Sequence, residues 1–326
     1  MTHRGTETGD TETGDTETRG TGAGRTGGAR ARLHTEIIPP DPKCSGAATP
    51  RKTRIVLVHG FTQTGRSWGT VAESLASVGH EVILPDAPGH GGSANIRADL
   101  TVGARLLGEA GGRATYVGYS MGARLCAHLA LAQPQLVERL VFLSATAGIE
   151  DPIKRAARQA ADEALAATLD PGIPDPARAA DPTPADPGSA DPARAADPAG
   201  QLDAFLECWL ARPMWATLSP AAAGREDRRR NTPAGLASSL RLAGTGTQEP
   251  LWDQLHKLEM PTLVMAGELD SAFAAHATRI AGLIGPNASL WLVPGAGHAV
   301  HLERAEAVTA AIRAFVGDDG GGRGQD

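Results

Sequence analysis

Apolar residues in this chain come in short unbroken runs. Arg54-Ile55-Val56-Leu57-Val58-His59 is one, and Glu81-Val82-Ile83-Leu84-Pro85-Asp86 is another. An apolar run between polar ends fits a strand buried on both faces, whereas a half-exposed strand alternates. Residues Thr115–Tyr119, Leu140–Ser144, Thr262–Ala266 and Leu290–Val293 read the same way. Helical stretches separate most of these six strands. Such alternation predicts an α/β fold with a mainly parallel, doubly wound sheet.

Residues 146–258 break the rhythm and read as helices only. Asp151-Pro152, Ser219-Pro220 and Thr232-Pro233 each set an N-cap residue before a proline at the first helical position. This block lies between the fourth and fifth strands, as a helical cap inserted between core strands does, and ligands in open α/β sheets bind where such a cap would sit. The core then consists of residues 49–145 and 259–316. Residues 1–48 read as a mostly disordered, low-complexity region, and the first 30 or so repeat Thr-Glu-Thr-Gly-Asp before turning Gly/Arg/Ala-rich. Residues 317–326 form a second polar, glycine-rich tail. Residues 170–200 repeat Asp-Pro-Ala-Arg-Ala-Ala-Asp-Pro, whose prolines forbid a continuous helix or central strand, so this segment reads as a flexible insertion in the cap.

Composition narrows the function classes. A formal net charge of −6 gives no basic footprint for nucleic acid. Cys44, Cys126 and Cys208 are odd in number, far apart and without a Cys-x-x-Cys, which fits a reducing compartment better than a disulfide scaffold. The start Met1-Thr2-His3-Arg4-Gly5 lacks the apolar core of a secretory signal, and no apolar run reaches membrane-spanning length. The expectation is a soluble cytoplasmic protein acting on a small molecule, with no nucleic-acid or membrane partner.

Gly118-Tyr119-Ser120-Met121-Gly122 stands between a β-prone stretch and the helical Ala123–Ala132. A Gly-x-Ser-x-Gly in that setting is the nucleophile elbow of α/β-hydrolases, a turn so tight that side chains at its flanks would clash. Three more motifs end strands: His59-Gly60-Phe61 the first, Gly267-Glu268-Leu269-Asp270 the fifth, and Gly295-Ala296-Gly297-His298 the sixth. The order Ser120, Asp270, His298 is that of α/β-hydrolases. Serine is a poor nucleophile or base until an imidazole takes its proton, and the imidazole needs a carboxylate to fix its tautomer. Oxyanion donors would be the backbone N–H groups of Met121 and Phe61. Glu268 is a weaker acid candidate, being nearer the strand, and His301 is a competing imidazole. Arg124 lies in the first turn of the elbow helix, where the macrodipole disfavours a cation by about 0.3–1 kcal/mol. A carboxylate-bearing substrate would repay that position through bidentate hydrogen bonds. Arg155 and Arg158, a turn apart beside Lys154 in the first cap helix, read on spacing alone as a solvated face. No ligand cluster or phosphate-cradling loop implies a metal or organic cofactor.

Taken together, these residues resemble the 2-succinyl-6-hydroxy-2,4-cyclohexadiene-1-carboxylate synthases of menaquinone biosynthesis, lyases on the α/β-hydrolase fold. The resemblance covers roughly residues 53–316 apart from 170–200. Its specific part is Gly118-Tyr119-Ser120-Met121-Gly122-Ala123-Arg124, then Arg155-Ala156-Ala157-Arg158-Gln159, and Trp209-Leu210-Ala211-Arg212-Pro213-Met214. It continues through Leu242–Gln248 with Leu251-Trp252, and Gly267–Phe273. It implies elimination of pyruvate from an anionic cyclohexene precursor, begun by proton abstraction at Ser120 relayed through His298. It also implies that Arg124 and, by spacing, Arg158 hold substrate carboxylates, and that Tyr119 and Trp209 line the pocket, with His59 among the substrate contacts. The chain departs from the family at Ala123, where glycine is common, at Ser271-Ala272, where a basic residue is frequent, and in the Pro/Asp/Ala insertion. The triad leaves open a serine hydrolase that cleaves a carboxylate-bearing ester, thioester or C–C bond through an acyl-enzyme. A non-catalytic binding module is disfavoured by the intact Ser120, Asp270 and His298.

Overall fold

The computed structural model describes residues 31–42, 53–170 and 197–317. Seven strands form one sheet: β1 Thr35–Ile38, β2 Arg54–Val58, β3 Glu81–Pro85, β4 Ala114–Tyr119, β5 Val137–Leu143, β6 Thr262–Gly267 and β7 Ala288–Val293. The helices are α1 Gly69–Ser77, α2 Leu100–Gly111, α3 Met121–Ala132, α4 Pro152–Leu169 and α5 Pro198–Leu210. They continue with α6 Arg225–Arg228, α7 Pro233–Ala243, α8 Ser271–Ile284, α9 Val300–Glu303 and α10 Ala305–Val316.

The strand order is β1-β3-β2-β4-β5-β6-β7, with β1 antiparallel to β3 and every other neighbouring pair parallel. The unbroken apolar runs are explained by burial on both faces. In β2, Val56 and Val58 join a core cluster with residues of α2, α3 and α8, while Ile55 and Leu57 join a second with residues of α1 and α10. The chain reverses direction across the sheet between β3-β2 and β4-β5, and such a switch point opens a crevice at the carboxyl ends of the strands.

Between β5 and β6 the described residues are helical or irregular. Asp151 accepts from the Ile153 and Lys154 N–H groups and Thr232 from Gly235 N–H, so both Xaa-Pro pairs start helices. Ser219-Pro220 does not: Ser219 Oγ accepts from Ala222 N–H at 3.2 Å and closes only a turn. The second core cluster extends into the cap through Leu202, Phe205, Leu206, Trp209, Leu236 and Leu240.

Two further expectations are corrected. Thr35–Ile38, placed in the low-complexity N-terminal region, forms the edge strand β1, and its half-exposed pattern, with Ile37 59% exposed, explains why no continuous apolar run marks it. The cap insertion also ends earlier than 200, because Asp197 caps α5 through Gly200 N–H, again before a proline. Just before the insertion, the Asp170 carbonyl accepts from Arg241 Nη2 at 2.8 Å, and the Gln201 side chain donates to Thr168 O at 2.9 Å. The disorder expected of residues 1–30, the inner part of 170–200, and 318–326 lies outside the described residues.

Candidate active site

Three strand ends meet at the crevice. Ser120 follows β4 with φ 51° and ψ −108°, a backbone that L side chains rarely adopt and that local packing must impose. The flanking glycines show how. A Cβ on Gly118 would stand 2.5 Å from Ala123 Cα, and one on Gly122 would collide with the carbonyl oxygens of Val58 and His59. Ser120 N–H donates to Leu143 O at 2.9 Å, anchoring the turn to the end of β5.

Asp270 follows β6 and caps α8, its Oδ1 accepting from Phe273 N–H at 3.3 Å. Its other oxygen lies 2.8 Å from His298 Nδ1, and His298 Nε2 lies 3.3 Å from Ser120 Oγ. The imidazole is 1% exposed and packs against Phe273, Trp215 and Tyr119 at ring-centroid distances of 4.4, 5.5 and 5.5 Å. Ser144 Oγ donates to His298 O at 2.7 Å and holds the loop. Gly267 matters to the same joint, since a Cβ there would strike the Ala296 and Gly297 carbonyls. The structure thus brings Ser120, His298 and Asp270 into one hydrogen-bonded chain.

The competitors lie elsewhere. Glu268 accepts from Gly295 N–H on the surface. His301 is sealed between Trp68 and Tyr119, with ring centroids 4.6 and 4.3 Å away, and burial with nearby Arg228 pulls its pKa down to about 3.

A cavity of about 480 Å³ separates this chain of groups from the cap. Ser120, Phe61, Met121 and Tyr119 line it from the core, Arg158 and Trp209 from the cap. Met121 opens α3, so its N–H is among the helix donors without an intrahelical acceptor. Tyr119 is buried, and burial pushes its phenol well above the ordinary range, so it stays a neutral wall of the cavity. His59, expected among the substrate contacts, is not one. It is fully buried, its Nδ1 donates to Gly60 O at 2.8 Å, and its Nε2 accepts from Ala87 N–H at 3.0 Å. With both ring nitrogens engaged and burial lowering its pKa, it is a neutral brace between the ends of β2 and β3.

Arg124 lines the cavity at 7% exposure. Its Nη1 donates to Ala243 O at 2.8 Å and to Gln248 Oε1 at 3.3 Å, both neutral acceptors. Ala243 is the last residue of α7, so a C-terminal helix carbonyl offsets the unfavourable N-terminal position of this cation on its own helix. Burial, then the neighbouring Arg158, pull its pKa to about 10, which leaves it charged at neutral pH. Arg158 donates through Nε to Asp162 Oδ1 at 2.8 Å, one turn along α4. Arg155 pairs with Glu249 at 3.3 Å and is absent from the cavity lining. Among the described residues no group of three or more His, Cys, Asp or Glu is placed to hold a metal ion.

The profile of the alpha/beta hydrolase fold family matches residues 53–305. The chain belongs to that family. It is similar to the 2-succinyl-6-hydroxy-2,4-cyclohexadiene-1-carboxylate synthase of Klebsiella pneumoniae, at 28% identity over 79% of this chain and 91% of that protein. It is also similar to the synthase of the same name from Serratia proteamaculans, at 27% identity over 82% and 94%. Its fold is similar to that of MenH from S. aureus, with a TM-score of 0.70, 24% identity, and coverage of 87% of this chain and 97% of that one.

Within this alpha/beta hydrolase fold, sequence reasoning missed Asp162, Ser144 and Arg212, all of which line the cavity. Asp162 stands four residues after Arg158 on one helix, a spacing that signals an ion pair. Ser144 and Arg212 lay in segments already singled out, but nothing local distinguished them from strand-end and surface residues.

Proposed function

We propose that this protein is a carbon–oxygen lyase that eliminates pyruvate from 2-succinyl-5-enolpyruvyl-6-hydroxy-3-cyclohexene-1-carboxylate, giving 2-succinyl-6-hydroxy-2,4-cyclohexadiene-1-carboxylate. The observation that carries the reading is the union of two features in one cavity: the Ser120–His298–Asp270 chain and the buried Arg124, whose partners are neutral oxygens. The relatives named synthases of this product support the substrate. A generic esterase cavity would gain nothing from a buried guanidinium without an ion-pair partner of its own beside the serine.

The roles follow from the geometry. His298, its Nδ1–H donating to Asp270, accepts the Ser120 proton at Nε2, and the serine oxygen removes the proton from the ring carbon that carries the succinyl ketone. The backbone N–H groups of Met121 and Phe61 stabilise the resulting enolate oxygen. The electrons then move through the ring double bond, forming the 2,4-diene and expelling the enolpyruvyl oxygen. A proton returned through His298 completes pyruvate. Arg124 and Arg158 bind carboxylates of the substrate, while Tyr119 and Trp209 shape the cavity. No helix among the described residues is long and apolar enough to cross a membrane. The odd, scattered cysteines without a Cys-x-x-Cys support a reducing, cytoplasmic compartment.

Incubating the purified protein with the synthetic precursor should release pyruvate, followed by a coupled NADH assay, in step with formation of the diene. A p-nitrophenyl ester should turn over poorly. Absence of pyruvate together with an acyl-enzyme on Ser120 detected by mass spectrometry would replace the lyase reading with a serine hydrolase.

A further inference from the structure

Three guanidiniums line the cavity, and the third is Arg212. It follows α5 on the cap, and its guanidinium carbon lies 4.5 Å from the centroid of the Trp209 ring. Stacking on a rigid indole holds the planar fork in a defined orientation at small entropic cost. Arg124 engages a helix-end carbonyl and Arg158 engages Asp162, whereas no ion pair or hydrogen bond to the Arg212 guanidinium exists among the described residues. Charge makes the arrangement informative. Arg158 disfavours the charged forms of both Arg124 and Arg212, and the same carboxylate, Asp162, favours both. Asp162 is 4% exposed and already accepts from Arg158 and from Gly246 N–H at 3.3 Å. The other carboxylate of the cavity, Asp270, is engaged with His298. Three cations around one shared counter-charge form a site suited to a polyanion.

We propose that Arg212 is a specificity-determining residue that grips a third substrate carboxylate on the cap side of the cavity, so that the enzyme selects tricarboxylates over dicarboxylates. This rests on the lyase reading for the identity of the substrate, which carries one carboxylate on its ring, one on its succinyl arm and one on its enolpyruvyl group. Arg124 and Arg158 serve two of them, and Arg212 serves the remaining one. Asp162 is a positioning residue: it holds Arg158 and keeps the three cations together in the free protein.

The test uses the full chain with Arg212→Gln and Arg212→Lys. With the precursor, Arg212→Gln should raise KM about tenfold and leave kcat within about twofold, because a cation gripping a remote carboxylate contributes to ground-state and transition-state binding alike. Arg212→Lys should recover part of the loss, since it restores charge without the fork. A second readout needs no turnover. Calorimetric binding of propane-1,2,3-tricarboxylate and glutarate should show about a tenfold preference of the wild type for the former, abolished in Arg212→Gln with glutarate affinity nearly unchanged. A variant that keeps the preference, a wild type that shows none, or a KM shift under about twofold overturns the inference. If the wild type discriminates the two acids through Arg212 yet releases no pyruvate from the precursor, the lyase reading fails and the polyanion site stands.

Discussion

The two walls of the cavity are built in different ways. On the core wall, backbone meets backbone: Gly122 lies against the Val58 and His59 carbonyls and Gly267 against those of Ala296 and Gly297. Ser120, Asp270 and His298 are placed by turns with no room to shift. On the cap wall, long side chains are steered by other side chains: Arg158 by Asp162 and Arg212 by Trp209. On the proposed lyase reading, proton transfer, which tolerates little displacement, falls to the stiff wall, and recognition of charge, which acts over longer distances, to the adjustable one.

The sharpest probe of this contrast is the core wall. Ser120→Ala and His298→Ala should each lower kcat by about 10⁴-fold or more, and the double variant should be barely worse than either single one, because the groups act as a unit. Multiplicative losses would show that the serine and imidazole work separately. Gly122→Ala drives a methyl group into two carbonyls with no flexible neighbour to yield, so it should cost about 4–5 kcal/mol in urea unfolding. A near-normal unfolding midpoint would mean that the core wall is softer than described.

Arg124 spans the walls, rooted in α3 and bonded to the end of α7. Arg124→Ala should cost about 2–5 kcal/mol in kcat/KM for the precursor, with partial rescue by Lys. Retention of activity within about threefold, under 1 kcal/mol, would remove the buried anion contact from the account.

The smallest effect tests whether His301 belongs to the chemistry. In the fold its pKa is about 3, and in the unfolded chain it is near the ordinary value of about 6.5. As pH falls through 6.5 the unfolded chain takes up a proton that the native state refuses, so this residue withdraws stability with falling pH until about pH 3. His301→Phe keeps a ring between Trp68 and Tyr119. It should leave activity intact at pH 7 and narrow the stability gap between pH 7 and pH 5 by about 1–2 kcal/mol in denaturant titrations. An unchanged gap would contradict a buried neutral imidazole.

The same contrast explains what could be read from the chain alone. The core strands declare themselves as apolar runs because both faces are covered, and Ser120, Asp270 and His298 follow strand ends in motifs whose glycines are needed for close approach. β1 escaped notice because an edge strand with one open side carries no such run. The role assigned to His59 failed because a histidine at a strand end looks alike in sequence whether it faces ligand or accepts a backbone N–H from Ala87. Arg212 was obscured for a related reason: its significance depends on a field shared with Asp162, 50 positions away, and no local pattern encodes that, whereas the i,i+4 spacing of Asp162 from Arg158 signalled only their own pairing.

Gln201 clasping Thr168, together with the helix start at Asp197, has a consequence for how this enzyme can change over generations. The helices on either side of residues 171–196 are stitched to each other by Gln201 and Thr168, and the Asp170 edge is tied to α7 by Arg241. Lengthening a closed segment costs only about 0.6 kcal/mol per doubling. Because these bonds lie among residues 168, 170, 201 and 241, changes of length confined to the stretch between Asp170 and Asp197 should leave the register of α4 against α7, and the shape of the cavity, as they are.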